Sequence, residues 1–455
     1  MIKIKLSKQA HIYSPPKALL KRLRKDLQVF NPKWIDNQRM GRYNRDTPKY
    51  INIYEEGPGR ISVPAGYIEE IQETLTHAEI PFDIYDLRVE RPAAFNFKGK
   101  LRGFQGPACR RILMFDTGTL EAPTGSGKTV MGLYIIAVRR QKTLVVVHTK
   151  DLAFQWIERA SEFLDIRPEE IGLIGAGKKT IGRRLTIGLI QSVTGRVEEL
   201  GKVFGQVVVD EAHRTPSKTF TTAVDGLFCK YSLGLSATPY RRDNLTKLIF
   251  WYLGPNRFTV SKQRLYDEGH IMEPLFIIRE TSFEPECDPV SEYPAMLSEL
   301  TEDEERNKLI CADIVDQAEN TKNNCLILSD RKAHCRKIRD MLMEQGTKAL
   351  VLTGETKAEQ RKKILSQIGN GHRFLIATGQ LVGEGFDCKA LNVMFLTTPI
   401  RFTGRVLQYI GRVMRPADGK DRPLVYDYAD WNVRPLRKAT HSRIRIYKKK
   451  NVIHQ

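Results

Sequence analysis

The stretch that most constrains this chain is a glycine-rich loop that ends in Gly-Lys-Thr, with the sequence Ala-Pro-Thr-Gly-Ser-Gly-Lys-Thr at 122–129. An apolar-rich run with few helix breakers follows at 130–137, and it predicts a helix. A turn that leads into a helix in this way directs several backbone N–H groups at one point, where the helix dipole also favours negative charge. We therefore expect the loop to bind the phosphate chain of a nucleotide.

Each residue type in this loop suits one part of a magnesium-bound nucleoside triphosphate. Lys128 supplies positive charge to the β- and γ-phosphates, and the hydroxyl of Thr129 is placed to ligate Mg²⁺. The usual pattern begins with Gly, and Ala122 puts another small residue there. The remaining contacts to the nucleotide are expected from Pro123, Thr124, Gly125, Ser126 and Gly127.

The length and the charge of the chain limit the number of domains and the kinds of partner that we expect. A chain of 455 residues is too long for one hydrophobic core, so two or three domains are expected. The formal net charge of +20 indicates a polyanion partner more than a merely solvated basic surface, and nucleic acid is the commonest such partner. Net charge alone does not distinguish DNA from RNA.

The composition also predicts where such a chain resides. We find no apolar run long enough to span a membrane, and residues 2–6 alternate like a strand, unlike a signal peptide. The seven cysteines are scattered, with no Cys-x-x-Cys pair, which favours free thiols over a zinc site. We expect the cytoplasm of a bacterial or phage-infected cell, and a monomer.

Strand and helix patterns alternate from the loop onward and predict the α/β fold class. The apolar runs at 143–147 and 207–209 suit parallel strands covered on both faces. After an acidic, proline-containing connector at 274–291, four more strand-like runs follow without a phosphate loop, at 324–328, 349–352, 374–377 and 393–396. A second α/β domain of this kind would close over the nucleotide that the first one binds.

The basic residues concentrate in an N-terminal region. Thirteen Lys and Arg stand against three Asp and Glu in the first fifty residues. Helices are predicted at 17–25 and 67–77, and a β-hairpin pairs 50–54 with 60–63. We favour a nucleic-acid-binding module over an accessory domain with a basic outer face. The predicted domains are 1–95, 96–272 and 273–455.

The basic C-terminal tail leaves two alternatives open. Residues 431–455 contain eight Lys and Arg and no acidic residue. Either a backbone-binding extension or a frayed end would suit this composition.

Two acids at the end of a buried strand indicate catalysis. Asp210 would hold Mg²⁺ opposite Thr129, and Glu211 would deprotonate the water that attacks the γ-phosphate. The alternative is an ordinary helix N-cap with an acid in the first turn. Upstream, Gln105 offers a donor and an acceptor to an adenine edge, a weak signal by itself.

Two arginines in the second domain are candidates for completing the site. Arg412 and Arg415 are three residues apart, on one face of a predicted helix. Arginines supplied across a cleft neutralise charge on the transferred phosphoryl group and are worth about 10³ to 10⁵ in rate. A solvated helix face is the alternative.

Taken in order, these stretches resemble the motifs of the superfamily 2 helicases. The motif positions are Gln105, 122–129, 149–150, 210–213, 236–238, 383–387 and 408–415. The resemblance implies two RecA-like domains with ATP and Mg²⁺ between them. It also implies nucleotide contacts from Gly383 and Asp387, nucleic-acid contacts from Thr149, Lys150, Gln191 and Thr378, and coupling of hydrolysis to movement by His213, Ser236, Thr238 and Gln408.

Within that superfamily, the run Ser-Ala-Thr-Pro-Tyr-Arg-Arg-Asp at 236–243 and the compact basic N-terminal region are similar to the phage branch-migration helicases of the UvsW type. This implies an ATP-driven motor on branched or forked DNA that tracks along one strand. The Asp-Glu-Ala-His box at 210–213 also names a group of RNA helicases, but those carry large domains after the second RecA fold, and only about 40 residues follow Arg415. An RNA helicase, a restriction-system motor and a passive nucleic-acid-binding protein remain rivals.

Overall fold

The structure is a computed structural model, and it describes residues 1–212, 217–237, 245–383, 390–400 and 420–445, together with 388, 406, 409–411, 416, 447 and 452–454. The chain forms two compact units. One consists of Met1–Pro123 and Gly127–Ser261, and the other of Thr124–Ser126 and Lys262–Gln455. Among the described residues, none of the helices is both long and apolar enough to cross a membrane.

The first unit begins with a small α+β region. Its elements are β1 (Ile2–Leu6), β2 (Gln9–Tyr13), α1 (Lys17–Asp26), β3 (Gln28–Phe30), α2 (Pro32–Arg39), β4 (Tyr50–Asn52), β5 (Glu55–Gly57), β6 (Arg60–Pro64), α3 (Ile68–His77) and β7 (Phe82–Asp86). Five strands form a sheet in the order β5-β6-β2-β1-β7, and β3 pairs with β4 separately. In α1 the buried residues are Leu19 and Leu23, so the basic side chains occupy the other faces, as predicted.

One predicted pairing in this region is wrong. The hairpin around Gly57-Pro58-Gly59 joins β5 to β6, so its first strand is not 50–54. Tyr50–Asn52 instead pairs antiparallel with Gln28–Phe30. Both runs have strand propensity, but only the short segment adjacent to the turn lies close enough to fold back on β6.

The rest of the first unit is a parallel sheet covered by helices. Its elements are α4 (Gln105–Leu113), β8 (Thr117–Glu121), α5 (Lys128–Arg139), β9 (Thr143–Val147), α6 (Lys150–Leu164), β10 (Gly172–Gly175), β11 (Lys178–Lys179), β12 (Leu185–Leu189), α7 (Ile190–Thr194), α8 (Val197–Leu200), β13 (Gln206–Asp210), α9 (Ser217–Asp225), β14 (Tyr231–Ser236), α10 (Thr246–Leu253) and β15 (Asn256–Thr259). The strand order is β11-β10-β12-β9-β13-β14-β8-β15. The four strands from β9 to β8 are parallel, so their carboxyl ends share one edge.

The α+β region and the parallel sheet share a hydrophobic core. Buried residues of β1, β2, α1 and α3 pack against Leu248 and Trp251 of α10 and against Leu245, which precedes that helix. Gly66 lies so close that an added Cβ would be 2.6 Å from the carbonyl oxygen of Trp251. Arg257, whose side chain is 9% exposed, pairs with Glu69 of α3. These contacts join the basic region to the sheet that carries the phosphate loop.

The second unit is a second parallel sheet. Its elements are α11 (Lys262–Asp267), β16 (Leu275–Glu280), α12 (Tyr293–Glu302), α13 (Glu304–Asn320), β17 (Cys325–Ser329), α14 (Lys332–Glu344), β18 (Ala349–Leu352), α15 (Ala358–Gln367), β19 (Phe374–Thr378), α16 (Gly379–Gly383), β20 (Val393–Leu396), β21 (Leu424–Ala429), α17 (Arg434–Ile444) and β22 (Val452–His454). The strand order is β18-β19-β17-β20-β21-β16-β22. The predicted fold class, α/β with two parallel-sheet domains and a small N-terminal α+β region, is confirmed.

Two segments of the second unit differ from expectation. The predicted connector contains β16, which lies between β21 and β22 in the sheet. Where it is described, the basic tail is packed and is not a frayed end, because Arg443 of α17 is buried against Asp427 at 2.8 Å. Tyr447 stacks on Phe276 with ring centroids 3.8 Å apart. The tail therefore contributes to the core of this unit.

Candidate active site

The phosphate loop has the backbone conformation that a phosphate cradle needs. Gly125 and Gly127 adopt left-handed φ values of 88° and 78°, which glycine reaches without steric cost. Gly127 is the N-cap of α5, so the first N–H groups of that helix open towards the loop. These features suit a bound anion at the helix N-terminus.

Lys128 is held at the loop, in the first turn of α5. Its Nζ donates a hydrogen bond to the carbonyl oxygen of Ala122 at 3.0 Å and lies 3.8 Å from Oε1 of Glu211. Both charged side chains are mostly buried, with 10% and 17% of their surfaces exposed. The low exposure strengthens their interaction relative to a surface pair. The lysine predicted to bind phosphate and the predicted catalytic acid therefore lie beside each other.

Asp210 ends β13, in the middle of the sheet. It is buried, its Oδ2 accepts a hydrogen bond from Nε1 of Trp156 at 2.8 Å, and its Oδ1 accepts one from the backbone N–H of Glu211 at 2.9 Å. Burial is the main cause that raises the pKa of Asp210, and the neighbouring Glu211 adds to it, while Lys128 and the two hydrogen bonds oppose the rise. Such a carboxylate gains from a cation beside it.

Glu211 has a left-handed backbone. Its φ is 50°, which costs a non-glycine residue about 1–3 kcal/mol and persists only where the surroundings enforce it. The turn lies directly after the strand and presents the Glu211 side chain to Lys128. Non-glycine residues in this conformation are concentrated at functional sites.

The donor types at this edge suit Mg²⁺. Thr129 follows Lys128 in the first turn of α5 and offers a hydroxyl, and Asp210 offers a carboxylate, both oxygen ligands that a hard cation prefers. The residues present therefore fit the expected ion.

Gln105 begins α4 and is almost entirely buried. Its Oε1 accepts the backbone N–H of Arg102 at 2.9 Å, and an added Cβ on Gly127 would lie 2.6 Å from its Nε2. The side chain therefore packs directly against the phosphate loop, a contact that the sequence did not predict.

Trp156 is the functional candidate that sequence reasoning missed. It is fully buried in α6, and its indole holds the carboxylate of Asp210. An added Cβ on Gly132 of α5 would be 3.0 Å from its ring. In the sequence it is one apolar residue on an amphipathic helix, and no spacing rule connects it with a residue 54 positions away.

The predicted nucleic-acid residues of the first unit lie at the same strand edge. Thr149 is the N-cap of α6, its hydroxyl accepts the backbone N–H of Leu152 at 3.3 Å, and Lys150 beside it is exposed. Gln191 is exposed in the first turn of α7, after β12, which pairs with β9. Ser236, predicted to couple hydrolysis to movement, is buried at the end of β14.

In the second unit, Thr378 ends β19 in register with Ser329 of β17, and Gly383 ends α16. Six predicted site residues lie outside the described residues: His213, Thr238, Asp387, Gln408, Arg412 and Arg415. The arginine assignment therefore stays a prediction.

Two family models match the chain. Residues 98–241 match the res subunit of type III restriction enzymes, and residues 305–417 match the helicase conserved C-terminal domain. These ranges contain the phosphate loop and the predicted arginines, respectively.

Two relatives cover most of the chain. L396 of Acanthamoeba polyphaga mimivirus, named as an ATP-dependent RNA helicase, is 24% identical over 437 residues, which are 89% of this chain and 79% of that protein. The DNA 3'-5' translocase XPB2 of Sulfurisphaera tokodaii is 26% identical over 384 residues, 77% of this chain and 84% of that protein.

Two solved structures align with most or all of the chain. The DNA-bound type ISP restriction-modification enzyme LlaBIII aligns with 80% of this chain and 31% of its own, at a TM-score of 0.58 and 14% identity. The UvsW protein of phage T4 aligns with 100% of this chain and 99% of its own, at a TM-score of 0.45 and 19% identity.

Proposed function

We propose that this chain, which belongs to the helicases of superfamily 2, is an ATP-dependent DNA helicase or translocase that unwinds or branch-migrates forked and junction DNA in replication, recombination or repair. The observation that carries the motor assignment is the convergence of Lys128, Asp210 and Glu211 at one strand edge. A passive binding protein would have no use for a buried lysine and two acids beside a phosphate loop.

In this proposal, the phosphate loop would hold ATP, and Thr129 and Asp210 would hold Mg²⁺. The ion would neutralise charge on the β- and γ-phosphate oxygens. Lys128 binds the same phosphates, and Glu211 accepts the proton of the attacking water. The carboxylate of Glu211 lies 3.8 Å from the Nζ of Lys128, so the proposed base and the phosphate-binding lysine are adjacent. Arg412 and Arg415 would complete the site from the second domain.

The nucleic-acid assignment rests on charge, and the choice of DNA rests on one relative and on the resemblance of residues 236–243 to the UvsW-type helicases. The basic N-terminal region is joined to the sheet of the phosphate loop by a shared core, so a nucleic acid bound there would be held by the same unit as the ATP. Lys150 and Gln191 offer exposed contacts at the strand edge. One relative is named as a DNA translocase, whereas another is named as an RNA helicase, which keeps RNA as the alternative.

The ATPase rate of the purified protein tests the proposal. We would measure it with single-stranded DNA, duplex, a forked junction, a four-way junction and matched RNA over a salt series. Backbone binding predicts stimulation that falls with salt, with a log–log slope of about −0.9 per duplex phosphate contacted. Strongest stimulation by branched DNA supports the proposal, and strongest stimulation by RNA overturns the DNA assignment.

Two lysine variants, one in the phosphate loop and one outside it, serve as the test and the control in this experiment. Lys128→Ala should lose ATP turnover with every nucleic acid, because the phosphates lose their charge partner. Lys179→Ala, an exposed residue on the edge strand β11, should keep the basal rate. Parental turnover by Lys128→Ala would contradict the site assignment.

A restriction-system motor is the second alternative, since one matching family model is that of a restriction subunit. Such a motor needs a nuclease domain or a partner chain. Stimulation by long linear duplex, without preference for forks or junctions, would favour it.

A further inference from the structure

An aromatic surface lies on the N-terminal α+β region, which precedes the sheet of the phosphate loop in the sequence. It consists of Phe30 on β3, Trp34 on α2 and Tyr50 on β4. The ring centroids of Phe30 lie 5.7 Å from those of Trp34 and 5.0 Å from those of Tyr50, in edge-on arrangements. Phe30 and Tyr50 remain 40% and 42% exposed, so this cluster is not part of the core.

A lysine brings positive charge to all three rings. The Nζ of Lys49 lies 5.6 Å from the ring centroid of Phe30, 5.5 Å from that of Trp34 and 5.7 Å from that of Tyr50. A cation at this distance is attracted by the ring quadrupoles. The surface therefore combines flat apolar rings with a fixed positive charge.

The segment around the aromatic surface is held in place by its own polar side chains. Asn31 caps α2 by accepting the N–H of Lys33, and its Nδ2 donates to the carbonyl oxygen of Pro48 at 2.8 Å. Asn44 donates to the carbonyl oxygen of Trp34 at 3.1 Å and accepts from Asn37 at 3.0 Å. Because these hydrogen bonds already order the segment, it loses little conformational entropy when it binds a ligand.

The charge around the surface favours a polyanion. Residues 28–52 contain five Lys and Arg and two Asp. Between α2 and β4, the same segment exposes Met40 and Tyr43, with 64% and 94% of their surfaces accessible. An apolar protein partner would suit the rings but not this excess of cations, whereas nucleic-acid bases with their phosphates suit both.

We propose that the aromatic surface stacks on unpaired bases of single-stranded DNA, with Lys49 and its basic neighbours contacting the backbone. The inference rests on the proposed function and extends it. The basic N-terminal region would contact bases as well as phosphates. Because every base has a π-face, such stacking is tolerant of sequence. It would let the region hold a strand that has been opened at a fork or junction.

An abasic oligonucleotide isolates stacking from backbone attraction. We would measure the dissociation constants of the full chain, without ATP, for a labelled mixed-sequence single-stranded DNA and for an abasic strand of equal length. For Phe30→Ala and Tyr50→Ala we expect binding of the base-bearing strand to weaken by about fivefold to 150-fold, the equivalent of 1–3 kcal/mol for each stacked base. Binding of the abasic strand should change less than about twofold.

Two further variants secure the interpretation. Tyr50→Leu keeps apolar packing but removes the aromatic face, so it should show the same selective loss even if the alanine variants fold poorly. Tyr85→Ala, at β7 and 48% exposed, should leave both constants unchanged. Equal weakening for both strands, or no weakening for either, would overturn the inference. Absence of DNA-stimulated ATPase would instead count against the proposed function, because this binding assay contains no ATP.

Discussion

The indole N–H of Trp156 and the carboxylate of Asp210 form a buried hydrogen bond of 2.8 Å between α6 and the end of β13. The bond fixes one oxygen of the carboxylate, and the backbone N–H of Glu211 fixes the other. These two hydrogen bonds thus orient the acid that we propose holds Mg²⁺. Orientation of this kind reduces the reorganisation that binding would otherwise require.

Trp156→Phe should therefore weaken the apparent affinity of the ATPase for Mg²⁺. The ring volume is largely kept, but the donor to Asp210 is lost, and loss of such a partner typically costs tenfold to a hundredfold in metal affinity or activity. We expect the Mg²⁺ concentration for half-maximal ATPase to rise by about tenfold. Trp251→Phe, a buried tryptophan of α10 that packs on Tyr67, is the matched control. Equal shifts in both variants would mean that packing, not orientation, is responsible.

Gly127→Ala should abolish nucleotide binding with little effect on the fold. The added Cβ would be 2.6 Å from Nε2 of the buried Gln105, and the φ of 78° would be strained. Gly177→Ala, in the turn between β10 and β11, has a similar φ of 82° and nothing within 4 Å, so it is a control for backbone strain of about 1 kcal/mol outside the phosphate loop. Binding of a fluorescent ATP analogue should be lost in the first variant and retained in the second. Retained binding by both would show that the loop tolerates the contact.

Gly66→Ala should weaken the packing of the basic N-terminal region against the sheet and lower the free energy of unfolding. A methyl group there meets the carbonyl oxygen of Trp251 at 2.6 Å and the N–H of Gly254 at 2.7 Å, and neither backbone can yield easily. Overpacking of this kind costs about 1–3 kcal/mol. Urea unfolding should show the loss, and Gly103→Ala, with open space around it, should show none. A similar midpoint for both variants would mean that the interface is adaptable.

How much the sequence predicted depends on the range of the interaction. The ends of β9 and β13 were predictable because local apolar runs stop at polar residues. The convergence of Lys128 and Glu211 followed from parallel strands sharing one edge. The partner of Asp210 was not predictable, because the hydrogen bond of Trp156 joins two elements with no sequence relationship.

The same limit explains the misassigned segments. Leu275–Glu280 adjoins an acidic, proline-containing stretch whose composition suggested a connector, and its partners are β21 and β22, far along the chain. The basic tail was interpreted from its composition alone, whereas its Arg443 is buried and donates to Asp427, which also accepts a hydrogen bond from Tyr447. Long-range pairing overrides local composition in both cases.

His334 predicts that the second unit loses stability in mild acid. The ring is fully buried in α14, with Nε2 2.8 Å from Oδ1 of Asn307 and Nδ1 3.0 Å from Oγ of Ser329. Asn307 donates its amide to the carbonyl oxygen of Thr301, so its Oδ1 accepts from Nε2–H. A second proton on Nδ1 would require the Ser329 hydroxyl to accept from the ring and to donate instead to the carbonyl oxygen of Arg331, 3.3 Å away.

Burial lowers the pKa of His334 to about 3, and the nearby Arg306 and Lys337 contribute. The native state thus keeps the ring neutral, whereas the unfolded chain binds a proton near the ordinary value of about 6.5. The stabilisation is complete above that value and falls as the pH drops from about 6.5 towards 3. Between pH 7.5 and 5.0 this group alone should lower the free energy of unfolding by about 2 kcal/mol.

Hydrogen exchange of the β17 amides, corrected for the intrinsic rate, measures the change in the free energy of unfolding. His334→Gln should remove that part of the pH dependence. An unchanged slope in His334→Gln would assign the acid sensitivity to other groups.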